Sequence, residues 1–266
     1  MKTYDLTKFG KKDLLILMNN YLKSALNNGE VCRDETMDFL RVYLEYILRL
    51  NNRTSEGVVC VFHEATDMND GEVAYMTCDN KNNCDVYLAK NLFKNKYLPK
   101  PTEMEDISNE ERRNRNHQFQ SFVNKLAYLM TDAGHEIQHV IQYLNNGDSS
   151  ADMDRKIEKL EHVCEENKTF ENRKKLKRIM YKHSRCIGAL HKSEIQANKK
   201  ANEYANDVLY SLLRLNGDAE TLNTILSVID IIKFEDKDIN DLYKARTKEL
   251  QQINTYLAQF EASALI

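Results

Sequence analysis

The chain has 266 residues, 42% hydrophobic and 30% charged, which suffices for one large domain or two small ones and is too apolar for a disordered polypeptide. A formal charge of -3 sets up no global field to attract nucleic acid or a membrane surface, so such contacts would need a local patch. The opening Met1-Lys2-Thr3-Tyr4-Asp5-Leu6 lacks a basic-then-apolar secretory layout, and no stretch reaches the roughly 18 apolar residues of a membrane span; the expectation is a cytoplasmic protein that does not use the membrane.

From Lys11 to Asn28 apolar residues recur at helical spacing through Leu14, Met18, Tyr21, Leu22 and Leu26, and Gly29 offers a C-terminal cap. A second helix is predicted from about Asp34, through Met37, Leu40, Tyr43, Leu44, Ile47 and Leu48, until Asn51-Asn52 ends it. Runs rich in valine, tyrosine and threonine follow at Gly57 to His63, Glu72 to Asp79 and Cys84 to Lys90, and read as three strands of a small antiparallel sheet. Pro99 and Pro101 mark a loop. Ser108-Asn109-Glu110-Glu111 fits a capping box opening a helix through Phe122, Leu126, Met130, Ala133, Ile137 and Ile141, which Gly147 closes. Everything after Ser149 reads as helix: about Asp152 to Asn167, Glu171 to Leu190, Ser193 to Leu215, Ala219 to Ile232 and Asp238 to Phe260.

These elements predict an α+β chain, mainly helical, folded as a single domain over 1–266: N-terminal helices in 1–52, sheet and motif helix in 57–147, and a helical part in 148–266. Six cysteines (Cys32, Cys60, Cys78, Cys84, Cys164, Cys186) show no Cys-x-x-Cys spacing, so free thiols are expected in a reducing compartment. The acidic run Glu158, Glu161, Glu165, Glu166 and the basic run Arg173, Lys174, Lys175, Lys177, Arg178 read as solvated helix faces.

The chemistry lies in His135-Glu136-Ile137-Gln138-His139. Two histidines four apart project from one helix face, so their imidazoles can converge on one ion. Zinc accepts two such nitrogens, and the adjacent Glu136 can reach a water at the metal without filling a coordination position. Zinc lowers the pKa of that water from about 16 to about 7, and Glu136 can take its proton as hydroxide attacks a carbonyl. The alternative is a helix turn bearing two solvated histidines.

This motif resembles that of the zincin metallopeptidases, whose motif helix packs under a small sheet with an antiparallel edge strand. The resemblance implies that Cys84 to Lys90, or a neighbouring strand, binds substrate by strand addition. The continuation Val140-Ile141-Gln142-Tyr143-Leu144-Asn145 lacks the glycine and histidine of the metzincin subgroup. The gluzincin subgroup instead takes a third ligand from a glutamate on a later helix, and Ser193-Glu194-Ile195-Gln196-Ala197-Asn198 is similar to the Glu-x-x-Ala-Asp/Asn signature of ImmA/IrrE-type peptidases. The likeness covers Asp132 to Gln142 and Lys192 to Ala205, and His135 to Gln142 is also similar to metallopeptidase modules of phage and plasmid polyvalent proteins.

Carried over, the resemblance makes His135, His139 and Glu194 the zinc ligands and Glu136 the general base. Glu194 also sits on a stripe with Ala197, Ala201, Ala205, Val208 and Leu212, where an unpaired carboxylate is costly; otherwise it is a first-turn residue placed by the helix dipole. Asn198, where relatives often have aspartate, can accept a bond from the His135 imidazole. Glu158 is the competing third ligand, though it lies off the apolar stripe of its helix. Tyr204, His191 and His183 are candidates to bond an oxyanion. The expected function is zinc-dependent hydrolysis of a protein or peptide substrate. The alternatives are a non-catalytic regulatory or interaction protein with structural zinc, and a DNA-associated regulator using the helix around Lys174.

Overall fold

Periodicity and structure agree on the first two helices, α1 (Lys11–Asn28) and α2 (Arg33–Leu50). The structure, a computed structural model, describes residues 5–28, 33–65, 74–78, 83–89, 108–146 and 173–263, with helical positions 155, 159 and 162. Leu14, Met18, Leu40, Tyr43, Ile47 and Leu48 are fully buried where α1 packs on α2. A short 3-10 turn, Leu6–Lys8, precedes α1. It is held to α2 by Arg49, whose guanidinium donates to the Thr7 carbonyl at 2.6 Å and to buried Glu45 at 2.8 Å.

Three strands follow, β1 (Val59–Ala65), β2 (Ala74–Cys78) and β3 (Asn83–Ala89), in the order β1-β3-β2. The sheet is mixed, not antiparallel as expected: β3 runs antiparallel to β2 but parallel to β1. The reason is topological. A chain that reverses at each connection brings β3 back in the direction of β1, and β3 inserts between the other two. Alternation along β3 buries Cys84, Val86 and Leu88, and β2 and β3 pack against the next helix.

β3 is therefore the central strand. Its two edges are taken by β1 and β2, so strand addition along Cys84 to Lys90 is excluded, and the antiparallel edge belongs to β2. The expectation of free thiols also fails on this sheet. Cys78 and Cys84 stand opposite one another across β2 and β3, with Cα atoms 4.2 Å apart, and form a disulfide. Cys60 lies beside Cys84 in the register of β1 and keeps its thiol; burial, with Asp85 adding, pushes that thiol up to about 12.

The motif helix is α3 (Asn109–Asn146). Ser108 caps it, its hydroxyl accepting from the Glu111 amide at 3.2 Å. Two more helices complete the chain, α4 (Arg173–Leu215) and α5 (Ala219–Ser263). Each is a single helix where the sequence suggested a pair. Neither Leu190-His191-Lys192-Ser193 nor Lys233 to Lys237 contains glycine or proline, so the hydrogen-bond ladder continues through both predicted breaks. Apart from 155, 159 and 162, the helix expected over Asp152 to Asn167 lies outside the described residues. One apolar cluster joins α1, α2, the sheet, α3, α4 and α5. No helix among the described residues is long and apolar enough to cross a membrane.

Candidate metal centre

The site is built where α3 and α4 pack. The pairs that touch run in opposite order along the two helices, Gln142 with Ser193, His139 with Glu194, and His135 with Asn198, followed by Gly134 with Ala201, so α3 and α4 are antiparallel here. Close approach depends on small residues. A Cβ on Gly134 would stand 3.3 Å from the Cα of Ala201 and 3.2 Å from the Tyr43 hydroxyl, while Ala197, Ala201 and Ala205 are buried on the α4 side.

That approach lets Glu194 reach both motif histidines. His135 Nε2 and His139 Nε2 are 3.0 Å apart; one Glu194 oxygen lies 3.2 Å from the first and the other 3.2 Å from the second. Their ligand atoms all lie within 4.8 Å of one another, so the three residues could hold a metal ion. Glu194 stands well inside α4, about twenty residues from its start, so placement by an N-terminal helix dipole does not account for it. Glu158 lies outside the described residues.

The hydrogen bonds behind the triangle decide what it can hold. Gln142 Nε2 donates to the Ser193 carbonyl at 3.1 Å, an atom that can only accept, so the amide orientation is set and its Oε1 faces His139 Nδ1 at 2.8 Å. His139 must therefore carry its proton on Nδ1. His135 Nδ1 faces Asn198 Oδ1 at 3.0 Å, a contact that accommodates the same tautomer. In the neutral rings both Nε2 lone pairs then point at each other and at a carboxylate, an arrangement that only a proton or a cation relieves.

Spacing and charge fit a tetrahedral divalent ion, since ligands about 2.1 Å from zinc in that geometry stand about 3.4 Å from one another. Burial, the largest influence on Glu194, opposes its charge, yet hydrogen bonds to His135 and His139 hold the carboxyl below the usual carboxylate range. Burial likewise opposes charge on His135, but the bond to Glu194 and the negative charge of Glu136 raise its value overall. Solvent reaches one side: the Glu194 and His135 side chains are 29% and 20% exposed, that of His139 only 5%. Glu136 is buried, with one oxygen 3.9 Å from His135 Nε2, beside the triangle and outside it.

No family model, no curated protein and no solved structure matches the chain. The structure thus brings together His135, His139, Glu194, Glu136 and Asn198. It does not bring Tyr204 into service as a free hydroxyl. Tyr204 donates to Gln138 at 2.6 Å and accepts from Asn51 at 2.9 Å, tying α4 to α3 and to the end of α2. The side chains of His183 and His191 lie outside the described residues. Gln142 is the functional residue that sequence reading missed, and Ser193 and Gln196 hold it, at 2.6 and 3.1 Å. Asp132, one turn before Glu136, has its carboxyl pushed up to about 7 by burial, with Glu235 and Glu136 adding and His135 opposing.

Proposed function

We propose that the chain is a zinc-dependent peptide hydrolase, in which His135, His139 and Glu194 hold the metal and Glu136 is the general base. The observation that carries this reading is the geometry of the triangle: two ring nitrogens 3.0 Å apart, each 3.2 Å from one oxygen of the same carboxylate, a spacing that one ion can span. A zinc ion bound there supplies Lewis acidity toward a carbonyl and acidifies a water molecule. The chain's own residues do the rest. Asn198 and Gln142 orient the rings, Ser193 and Gln196 orient Gln142, and Glu136 stands next to the triangle, one oxygen 3.9 Å from His135 Nε2, where its carboxylate can accept a proton. β2, an edge strand antiparallel to its neighbour, is available to pair with an extended peptide.

A purely structural site is the second reading, and the ligand count weighs against it. Structural zinc is almost always enclosed by four protein ligands, whereas three are found among the described residues and one side is open to solvent. Zinc content and cleavage of a denatured protein substrate test both readings. Glu136→Gln is expected to keep about one zinc per chain and lose hydrolysis, Glu194→Ala to lose both, and Glu158→Ala to keep both. Zinc at full occupancy in an inactive wild-type chain would leave the structural reading standing. Zinc retained by Glu194→Ala would displace the third ligand.

A further inference from the structure

An open groove of about 610 Å³ runs between α3 and α5. From α3 it is lined by Gln120, Asn124 and Tyr128, and from α5 by Asp230, Phe234, Glu235 and Asp238 among others. Three carboxylates and no cation are found among the described lining residues, although the chain as a whole is nearly balanced at 38 basic to 41 acidic residues. Two aromatic rings are left in solvent beside these carboxylates: Phe234 is 70% exposed and Tyr128 is 42% exposed. Of the three cations one residue away from a lining position, Lys125, Lys233 and Lys237, Lys233 lies 6.0 Å above the Tyr210 ring of α4.

The groove shares α3 with the candidate centre. Tyr128 and His135 are seven residues apart on α3, two turns along the same face, so the groove's end lies about 10 Å from the first histidine. Asp132 lies between them, and its carboxyl is influenced both by Glu235 in the groove wall and by His135 and Glu136 at the centre. From Gln120 to His135 the helix rises about 22 Å, the span of about seven residues of extended peptide. Carboxylates beside exposed rings complement one chemistry in particular, a cationic head on an aliphatic stem, which pairs with the acids while lying on the ring faces. The value of Glu235 is raised by burial and by Asp238, a repulsion that a bound cation relieves.

We infer that the α3–α5 groove is the specificity subsite of this centre and accepts a polypeptide segment rich in lysine or arginine. The inference rests on the hydrolase reading for its consequence, but not for its test. Fluorescein-labelled dodecapeptides of alternating Lys-Ala, Gln-Ala and Glu-Ala are titrated against the full zinc-supplied Glu136→Gln chain, with anisotropy as readout. The Lys-Ala peptide binds, and Asp230→Asn/Glu235→Gln/Asp238→Asn weakens it about tenfold. Phe234→Ser, at a solvent position that folding does not need, weakens it about threefold. Glu110→Gln/Glu111→Gln, which removes two charges at the far end of α3, leaves it unchanged. Equal binding of the Gln-Ala peptide, wild-type affinity in both groove variants, or an equal loss in the Glu110/Glu111 control overturns the inference. A basic peptide that is bound through the groove but left uncleaved by the wild-type chain sinks the hydrolase reading and leaves the groove. Cleavage with no basic residue favoured near the cut overturns the groove and leaves the hydrolase.

Discussion

Replacing Gln142 by leucine removes four hydrogen bonds and shortens the side chain by one atom. They are acceptance from His139 Nδ1 at 2.8 Å and from the Ser193 hydroxyl at 2.6 Å, and donation to the Ser193 carbonyl and to Gln196, each at 3.1 Å. His139 is buried, so its Nδ1 proton is left without a partner, and stranding a buried polar group costs about 1–3 kcal/mol. With the Ser193 carbonyl also stranded, the expected loss of stability is about 2–4 kcal/mol in urea denaturation. The metal loses more selectively. Without an acceptor at Nδ1 the ring can turn or place its proton on Nε2, and loss of such a partner typically weakens affinity about 10–100-fold. Competition against a zinc-binding dye measures this directly. Gln142→Glu separates the two roles, because a carboxylate still accepts from His139 Nδ1 but meets the Ser193 carbonyl with a second acceptor. Zinc affinity should return to wild type or better while the stability deficit remains. Unchanged zinc affinity in Gln142→Leu would show that the amide does not set the tautomer, and the convergence of lone pairs would lose its support.

Chelation should lower the melting temperature, since a ligand set drawn from α3 and α4 binds only the folded chain and zinc at 100 times its dissociation constant contributes about 2.7 kcal/mol; an unmoved midpoint after verified zinc removal refutes this. Gly134→Val places a branched side chain where even a Cβ stands 3.3 Å from the Ala201 backbone, so calorimetry or denaturation should show a loss of about 3 kcal/mol, together with weaker zinc binding as the helices part. Burial pushes the folded Asp132 carboxyl up to about 7, above the 3.8 of an ordinary aspartate, so stability falls as pH rises between those values. In chelator, Asp132→Asn should therefore gain about 1–2 kcal/mol over wild type at pH 8 and nothing at pH 3, the full shift being discounted for the solvent that still reaches this side chain. A gain equal at both pH values would sink that account.

The three residues of the candidate site were legible because each breaks a pattern in a way that only a partner repairs. His135 and His139 recur at one turn, and Glu194 interrupts the stripe of Ala197, Ala201 and Ala205, all three of which are buried. Gln142 carried no such mark: a glutamine on a polar-to-apolar helix is ordinary, and its partners are 51 and 54 residues away. The sheet failed for a related reason. Alternation identifies which side of a strand is buried, as it does for Cys84, Val86 and Leu88, but it is indifferent to whether β3 flanks β2 or slips in beside β1. The Cys78–Cys84 pair follows from that register and not from any spacing rule. The helix ends predicted near Leu190 and Ile232 came from weakened periodicity, and a helix with no proline or glycine continues through a weak patch while its backbone bonds are intact.

The two ring-orienting partners also bear on how the centre works. Both are neutral amides, Asn198 for His135 and Gln142 for His139, and among the described residues the carboxylates within 4 Å of the ring Nε2 atoms are those of Glu194 and Glu136. A carboxylate behind an imidazole strengthens it as a ligand and dampens the charge of the metal it holds; an amide fixes the same tautomer and does neither. On the proposed reading, zinc held by two such imidazoles and one carboxylate would retain more of its positive charge, at a cost in affinity and with a stronger pull on a carbonyl. Rigidity is what offsets the affinity lost. Tyr204 clamps Gln138 to Asn51, Gly134 seats α3 on Ala201, and Gln142 joins α3 to Ser193 and Gln196, so the donors are already gathered when the ion arrives. Asn198→Asp tests the trade. Zinc affinity should rise by about tenfold or more, while hydrolysis per bound zinc falls, and a variant that gained in both would show that the neutral amide serves only to hold the ring.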